Sequence, residues 1–286
     1  GFLQNCNSTP WMVTDGENPR AEAFPAYLAG DGDVRNRRSL RSMEMLRGMQ
    51  GTTFDDWQRA AFDGEAYWAR HELPRYAAAW EQLQREAPQA AARVAPYLQH
   101  LLAWDCRISP ESTAAALCHA WYELLHGPGY PGEELRKPFQ NDDAAQLRAL
   151  VRAAETLESL HGDWRVPYGE VYRAQRLARV GDLTDLRFND RGASLPCAGG
   201  HGPMGVAFTQ YYTPSVVVPL VMSQRRRYGV AGVSYLAAWE FLPSGVRGAS
   251  LTPFGASGDP RSPHYLDQAA LLAERRLKPE RVTEQP

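Results

Sequence analysis

The chain has 286 residues, 44% hydrophobic and 22% charged, a balance that excludes wholesale disorder, a collagen-like repeat and a coiled-coil rod. Thirty-one Lys and Arg against 33 Asp and Glu leave a formal charge of −2, so there is no bulk surface for polyanions and nucleic acid is not an expected partner. The longest apolar stretch, residues 211–222, is interrupted by Pro214 and Pro219 and falls short of the roughly 20 apolar residues that span a bilayer.

The chain opens on Gly rather than Met, with no charged start and apolar core to mark a signal peptide; the expectation is a processed or truncated product. Residues 1–35 are loop-rich, punctuated by Pro10, Gly16, Pro19, Pro25, Gly30 and Gly32. The pattern from 36 to about 165 is helical. Thr53 with Asp56 three residues later reads as a capping box. Residues 65–104 are helix formers with expected breaks at Pro74, Pro88 and Pro96. Ser109-Pro110-Glu111 reads as the start of a helix that ends by Gly127. Leu147, Leu150, Val151, Ala154 and Leu157 recur at helical spacing.

Val166-Pro167-Tyr168-Gly169 marks a turn, and the texture then changes. Residues 204–221 and 228–242, rich in Val, Tyr and Phe, read as strands, with Gly245 and Gly248 following. A short helix is expected around 267–275. The fold class is α+β, in three parts: 1–35, 36–165 and 166–286.

Familiar catalytic signatures are missing: there is no GxSxG elbow, P-loop, GxGxxG or HExxH. The seven histidines show no metal-ligand spacing. His201, in Gly199-Gly200-His201-Gly202-Pro203, reads as part of a tight loop, with a ligand site as the lesser reading, and His264 as an imidazole serving a loop backbone group. Asp55 and Asp56 read as helix-start charges, and Arg225-Arg226-Arg227 as a solvated face or a strand-end turn. Cys6, Cys106, Cys118 and Cys197 form no CxxC pair; a Cys106–Cys118 disulfide is open. The opening residues 1–11 set amide side chains between apolar ones. Asn5 and Asn7 either close turns before Pro10 or supply an amide donor to an oxyanion hole.

Three ordered segments carry a resemblance. Asn5-Cys6-Asn7-Ser8-Thr9-Pro10 resembles the Asn-aromatic-Asn-x-x-Pro segment of the penicillin amidase (penicillin acylase) family. Residues 163–171 with Arg173 are similar to its Trp-x-Val-Pro-x-Gly-Glu-Val-x-Arg segment. Residues 255–268 are similar to its Gly-x-Ser-Gly…Ser-Pro-His-Tyr-x-Asp-Gln signature. That family also holds cephalosporin and acyl-homoserine-lactone acylases.

The resemblance implies an N-terminal-nucleophile hydrolase with a four-layer αββα sandwich, of which this chain supplies the distal part of the β chain with a helical insertion region. It implies self-cleavage of a precursor and a nucleophilic Ser whose own α-amino group is the base. A terminal amine with a pKa near 8 is suited to that task. Residue 1 is Gly, so the Ser is expected upstream, and the α chain and upstream β segment become the implied partners. This piece alone is expected to be inactive and poorly stable. The substrate implied is an N-acylated small molecule: a β-lactam, an acyl-homoserine lactone or a lipopeptide. The location implied is periplasmic or secreted. The alternative is an acylase-like binding or scaffold protein without catalysis.

By the motif match the oxyanion-stabilising Asn falls on Asn7. The active-site Arg falls on Arg38, with Arg35 and Arg37 as competitors. Cys6 as a substitute nucleophile is the lesser reading. Trp11 and Tyr27 either border an acyl pocket or pack a core. No cofactor is expected. Some family members hold a structural calcium, but its ligands come mainly from other segments, and Asp31 and Asp33 do not match them. The 255–268 signature is expected to be structural, with Asp267 and Gln268 satisfying loop amides.

Overall fold

The computed structural model describes residues 1–29, 36–127, 142–177, 188–213 and 225–281. After an irregular arm with a short helix α1 (Ala26–Ala29) come six helices: α2 (Arg37–Gly48), α3 (Phe54–Ala60), α4 (Tyr67–Glu86), α5 (Pro88–Leu102), α6 (Thr113–His126) and α7 (Asp143–His161). The carboxy-terminal part adds a single helical turn α8 (Tyr168–Val171), strands β1 (Tyr172–Ala174), β2 (Leu195–Pro196), β3 (Gln210–Tyr212), β4 (Arg227–Gly232), β5 (Leu236–Leu242) and β6 (Gly245–Leu251), helix α9 (Ala269–Ala273) and strand β7 (Lys278–Glu280). This is the expected mix of helix and strand.

The core lies among α4–α7. Helix α6 is apolar almost all round, which fits an element that packs against α5, α7 and α8 at once. Trp68, Tyr76 and Trp121 meet edge to face within it, with centroids 5.6 Å apart for Trp68–Trp121 and 4.6 Å for Tyr76–Trp121. The capping box at Thr53 and Asp56 is formed, and the expected apolar stripe of α7 is buried. The helix expected to end by Gly127 does so, at a glycine with φ of 79°.

Two proline breaks are corrected. Pro74 lies inside α4 and Pro96 inside α5; of the three prolines, Pro88 alone stands at a helix boundary. An interior proline costs about 3 kcal/mol. Here both rings sit on exposed faces, where water can reach the carbonyls they free, while Leu73, Tyr76, Val94 and Leu98 are buried on the other face. Burying each such side chain returns about 1.5–3 kcal/mol, so packing outweighs the break. The α6 start is also corrected. Ser112, not Ser109, caps the helix by accepting from Ala115 N at 3.1 Å, while Ser109–Ser112 forms a turn whose Pro110 carbonyl accepts from Gly169 N.

The strands make two small sheets. One has the order β2-β1-β4-β3, with β1 and β4 parallel; the other is the antiparallel β5-β6-β7. The expected strand over 204–221 shrinks to β3, and residues 214–224 lie outside the described residues. Residues 202–204 form a 3-10 turn instead. Gly205 comes next at φ 81°, where a Cβ would stand 2.5 Å from Tyr67 Cβ, so extended backbone gives way to close packing against α4. Gly248 does not end the β structure: it faces Trp239 across β5–β6, and the indole covers it.

The resembling segment 163–173 serves as a brace. Arg173 donates to Ser194 Oγ at 3.0 Å, Ser194 O at 2.6 Å and Gly169 O at 2.8 Å, tying α8 to β2. Segment 255–268 folds on itself and docks on the chain after β1. Gln268 Oε1 accepts from Thr252 N at 2.9 Å, as expected, and Tyr265 OH donates to Leu177 O at 3.0 Å. His264 departs from expectation. Its Nδ1 pairs with Asp267 Oδ2 at 2.9 Å on the surface, not with a backbone group, and Asp267 therefore serves the imidazole rather than a loop amide. All four cysteines are free thiols, so Cys106 and Cys118 are not bonded to each other.

Candidate functional site

The arm closes on itself before it reaches α2. Gln4 N donates to Val13 O at 2.8 Å, and its buried side chain donates to Met12 O at 2.9 Å. Inside this loop Asn5 Oδ1 accepts from Asn7 N at 2.9 Å, a side-chain turn that reverses the chain. Asn7 takes φ 56°, a left-handed conformation that Asn tolerates better than most residues. Its side chain is thereby set on the exposed side of the turn.

The first turn of α2 receives it. Asn36 caps the helix by accepting from Ser39 N at 2.9 Å, and its amide nitrogen donates to Cys6 O at 2.8 Å. One side chain thus starts the helix and holds the arm. Arg37 turns away and donates to Pro203 O at 3.1 Å. Arg38 Nη2 donates to Asn7 Oδ1 at 2.7 Å. Of the two competing arginines among the described residues, Arg38 meets Asn7 and Arg37 does not; Arg35, like Asp31 and Asp33, lies outside the described residues.

This contact fixes the amide. Arginine has only donors, so the atom of Asn7 that faces it is the carbonyl oxygen. The charge-assisted bond then leaves Asn7 Nδ2 pointing elsewhere as a donor, and among the described residues nothing accepts from it. The positive end of α2 and the Arg38 guanidinium give the surroundings a sign that favours developing negative charge. Beneath Arg38 runs the glycine loop 199–205. A Cβ on Gly202 would lie 3.2 Å from Arg38 Cδ and Nε and 2.5 Å from Tyr211 OH, so only glycine lets the loop support the arginine so closely.

Helix α2 is itself anchored from below. Arg41, 8% exposed, makes a two-pronged ion pair with Asp63, both bonds at 2.7 Å, and reaches Glu65 at 3.2 Å.

The remaining expected residues lie elsewhere. Cys6 is half-buried, and burial raises its thiol pKa although Arg38 works to lower it, which disfavours a thiolate nucleophile. Trp11 packs on Phe24 with centroids 5.5 Å apart, while Tyr27 is 84% exposed, so the core-packing alternative is wrong for Tyr27. Asp56 does serve the helix start. Arg226 donates to Asp190 O at 2.9 Å, and Arg227 opens β4, as the strand-end reading requires.

One cluster escapes the sequence reading. His201, in the glycine loop, is completely buried and faces His119 and Glu123 of α6. Burial pushes the pKa of His201 down to about 3 and that of Glu123 up to about 7, the latter against the lowering field of Arg227. The signal is half visible: His119 and Glu123 are four apart on an otherwise apolar helix.

The sequence profile of the family described as penicillin amidase matches residues 1–286. Among curated relatives, the chain is 24% identical over 307 residues to the acyl-homoserine lactone acylase PvdQ of Pseudomonas syringae pv. tomato, covering 99% of this chain and 36% of the relative. It is 26% identical over 294 residues to the PvdQ of Pseudomonas fluorescens, covering 95% of this chain and 34% of the relative. The chain therefore spans about a third of the length of the curated relatives it matches.

Proposed function

The chain belongs to the penicillin amidase family, and on that premise we propose that it supplies the oxyanion-stabilising residues of an acylase that hydrolyses the amide bond of an N-acylated small molecule. The observation that carries this reading is the Arg38–Asn7 bond at 2.7 Å, which presents the amide nitrogen of an exposed, left-handed Asn7. The relatives' name points to acyl-homoserine lactones as the first substrate class to try.

In this reading a Ser upstream of Gly1 attacks the amide carbonyl, with its own α-amino group taking the proton. Asn7 Nδ2 donates to the carbonyl oxygen as it becomes an oxyanion. Collapse expels the amine, and water releases the acid by the same route. Arg38 does not touch the substrate; it holds and polarises the Asn7 amide. The chain's helical region and two sheets form part of an αββα sandwich in a self-cleaving, periplasmic or secreted precursor. Phe241, Tyr235 and Trp239 on β5 and the segment before it, all exposed, are where the remaining chains pack.

The test takes the intact protein that contains this chain. Its mature amino termini are sequenced, and release of homoserine lactone from an acylated substrate is followed. A β chain beginning with Ser, and a fall in kcat of about 10²–10³ in Asn7→Ala with KM little changed, are expected. A mature chain with no Ser, Thr or Cys at its start, together with no hydrolysis, would establish the non-catalytic alternative.

A further inference from the structure

Behind the Arg38 support lies a group of polar atoms that the proposed hydrolysis does not use. His119 and Glu123 project from one face of α6, and His201 enters from the glycine loop. Both imidazoles are at 0% exposure, and the Glu123 side chain is 16% exposed. Glu123 Oε1 stands 3.6 Å from His119 Nδ1 and 3.8 Å from His201 Nε2. Those separations are too long for hydrogen bonds. Both nitrogens of His119, both of His201 and Glu123 Oε1 are buried without a hydrogen-bond partner. The neighbouring hydroxyls do not relieve them, since Tyr168 and Tyr212 both donate to Gly199 O at 2.7 Å.

Five unpartnered polar atoms in one spot of a packed core is an expensive arrangement, because each has given up water with no bond in its place. A ligand that binds several of them at once removes that cost. One ligand atom from each residue lies within 4.8 Å of those of the other two. A tetrahedral zinc ion with bonds of roughly 2.0–2.1 Å places its donors about 3.4 Å apart. The two separations above exceed that by only a few tenths of an ångström. Two imidazoles and one carboxylate suit a first-row transition ion; magnesium and calcium prefer all-oxygen sites.

We propose that His119, Glu123 and His201 bind a zinc-type divalent ion that pins the glycine loop 199–205 to α6. Two histidines and a glutamate leave a fourth position for water. Residue spacing along the chain does not reveal the site, because the third ligand stands far from the other two. The structural consequence is local: the ion holds the residue immediately before Gly202, on which Arg38 rests. The ion has no part in the amide hydrolysis.

The test uses the intact protein and zinc itself. After expression in zinc-supplemented medium and gel filtration, elemental analysis is expected to find about one zinc per chain. Removal by a chelator should lower the melting temperature, and zinc, not magnesium or calcium, should restore it. His201→Ala and Glu123→Gln should each lose the metal. Should those variants fail to fold, cobalt substitution in the unmutated protein decides. Visible bands of a low-coordinate cobalt site with nitrogen and oxygen ligands support the proposal; their absence overturns it. Protein that takes up no zinc after chelation, or variants that fold and keep it, overturn the proposal as well. None of these readouts depends on acylase activity, so failure here is distinct from failure of the hydrolase reading.

Discussion

Among residues 1–27 only Gln4 and Ser8 are buried, and both are polar; in α6 nine of 14 residues are buried, and most are apolar. The arm keeps its shape through side-chain bonds to backbone: Gln4 to Met12 O, Asn18 Oδ1 from Val13 N, and Asn36 to Cys6 O. The helical block keeps its shape by excluding water. On the proposed reading, function and stability separate along that line. A residue in the arm can be exposed, strained and chemically free because its position depends on a few directional bonds. A residue in the block answers to every neighbour it packs against.

The largest effect that tests this contrast belongs to the block. Arg41→Ala removes the two-pronged partner of the buried Asp63 and leaves it only Arg107 at 3.8 Å, while Glu65 keeps Arg70 at 2.8 Å. Breaking a buried pair in this way costs about 3–5 kcal/mol. Urea unfolding of the intact protein should show that loss. A change below about 1 kcal/mol would mean that α2 is held by the arm instead, and the contrast would collapse. Asn7→Ala is the counterpart. Its large loss of kcat should come with a stability loss of only about 1 kcal/mol, from alanine at φ 56° and the lost Arg38 bond, well below that of Arg41→Ala. A larger loss would make Asn7 a structural residue.

Asn36 stands on the border between the two regions and allows a finer cut. Asn36→Ala removes both the helix cap and the bond to Cys6 O, and should cost about 1 kcal/mol. Asn36→Asp keeps the cap acceptor and loses only the donor. It should retain stability while kcat falls, because the Asn7 loop is untied. Equal kcat in Asn36→Asp and the unmutated protein would show that Arg38 alone positions Asn7.

Legibility in the sequence divides along the same boundary. Asn7 and Arg38 enter the reading through the family resemblance and not through local spacing, since Asn5 and Asn7 before Pro10 read as turn closers and Arg38 is one of three neighbouring arginines. What separates Arg37 from Arg38 is the carbonyl of Pro203, far along the chain, which takes Arg37 while Arg38 meets Asn7. Pro74 and Pro96 mislead because the face they occupy, not their presence, decides whether a helix breaks. The His119–Glu123–His201 cluster is illegible for a related reason: an i,i+4 pair is visible, but no local pattern says which distant loop will fold over it.

The smallest expected effect separates the regions by pH. His100 lies in the block, with Nε2 2.9 Å from Thr113 Oγ1 and its ring edge-on to Trp164. Burial first, and the charge of Arg165 second, lower its pKa below the ordinary 6.5. As the solution is acidified through pH 6.5, the unfolded chain therefore takes up a proton that the folded chain refuses. The stabilising contribution is complete above that pH and is lost as pH falls toward the folded pKa. Subtracting the curve of His100→Gln isolates the histidine: the difference should be flat above about pH 7 and slope downward with acid below about 6.5. In the arm, Asp15 is paired with Arg47, which lowers its pKa below 3.8, so that contact should persist until the solution is more acidic still. Acid should thus loosen the block around α5 before it frees the arm, and amide exchange at Gln4 and Asn7 measured at about pH 5 against Leu98 and Leu101 would show the order.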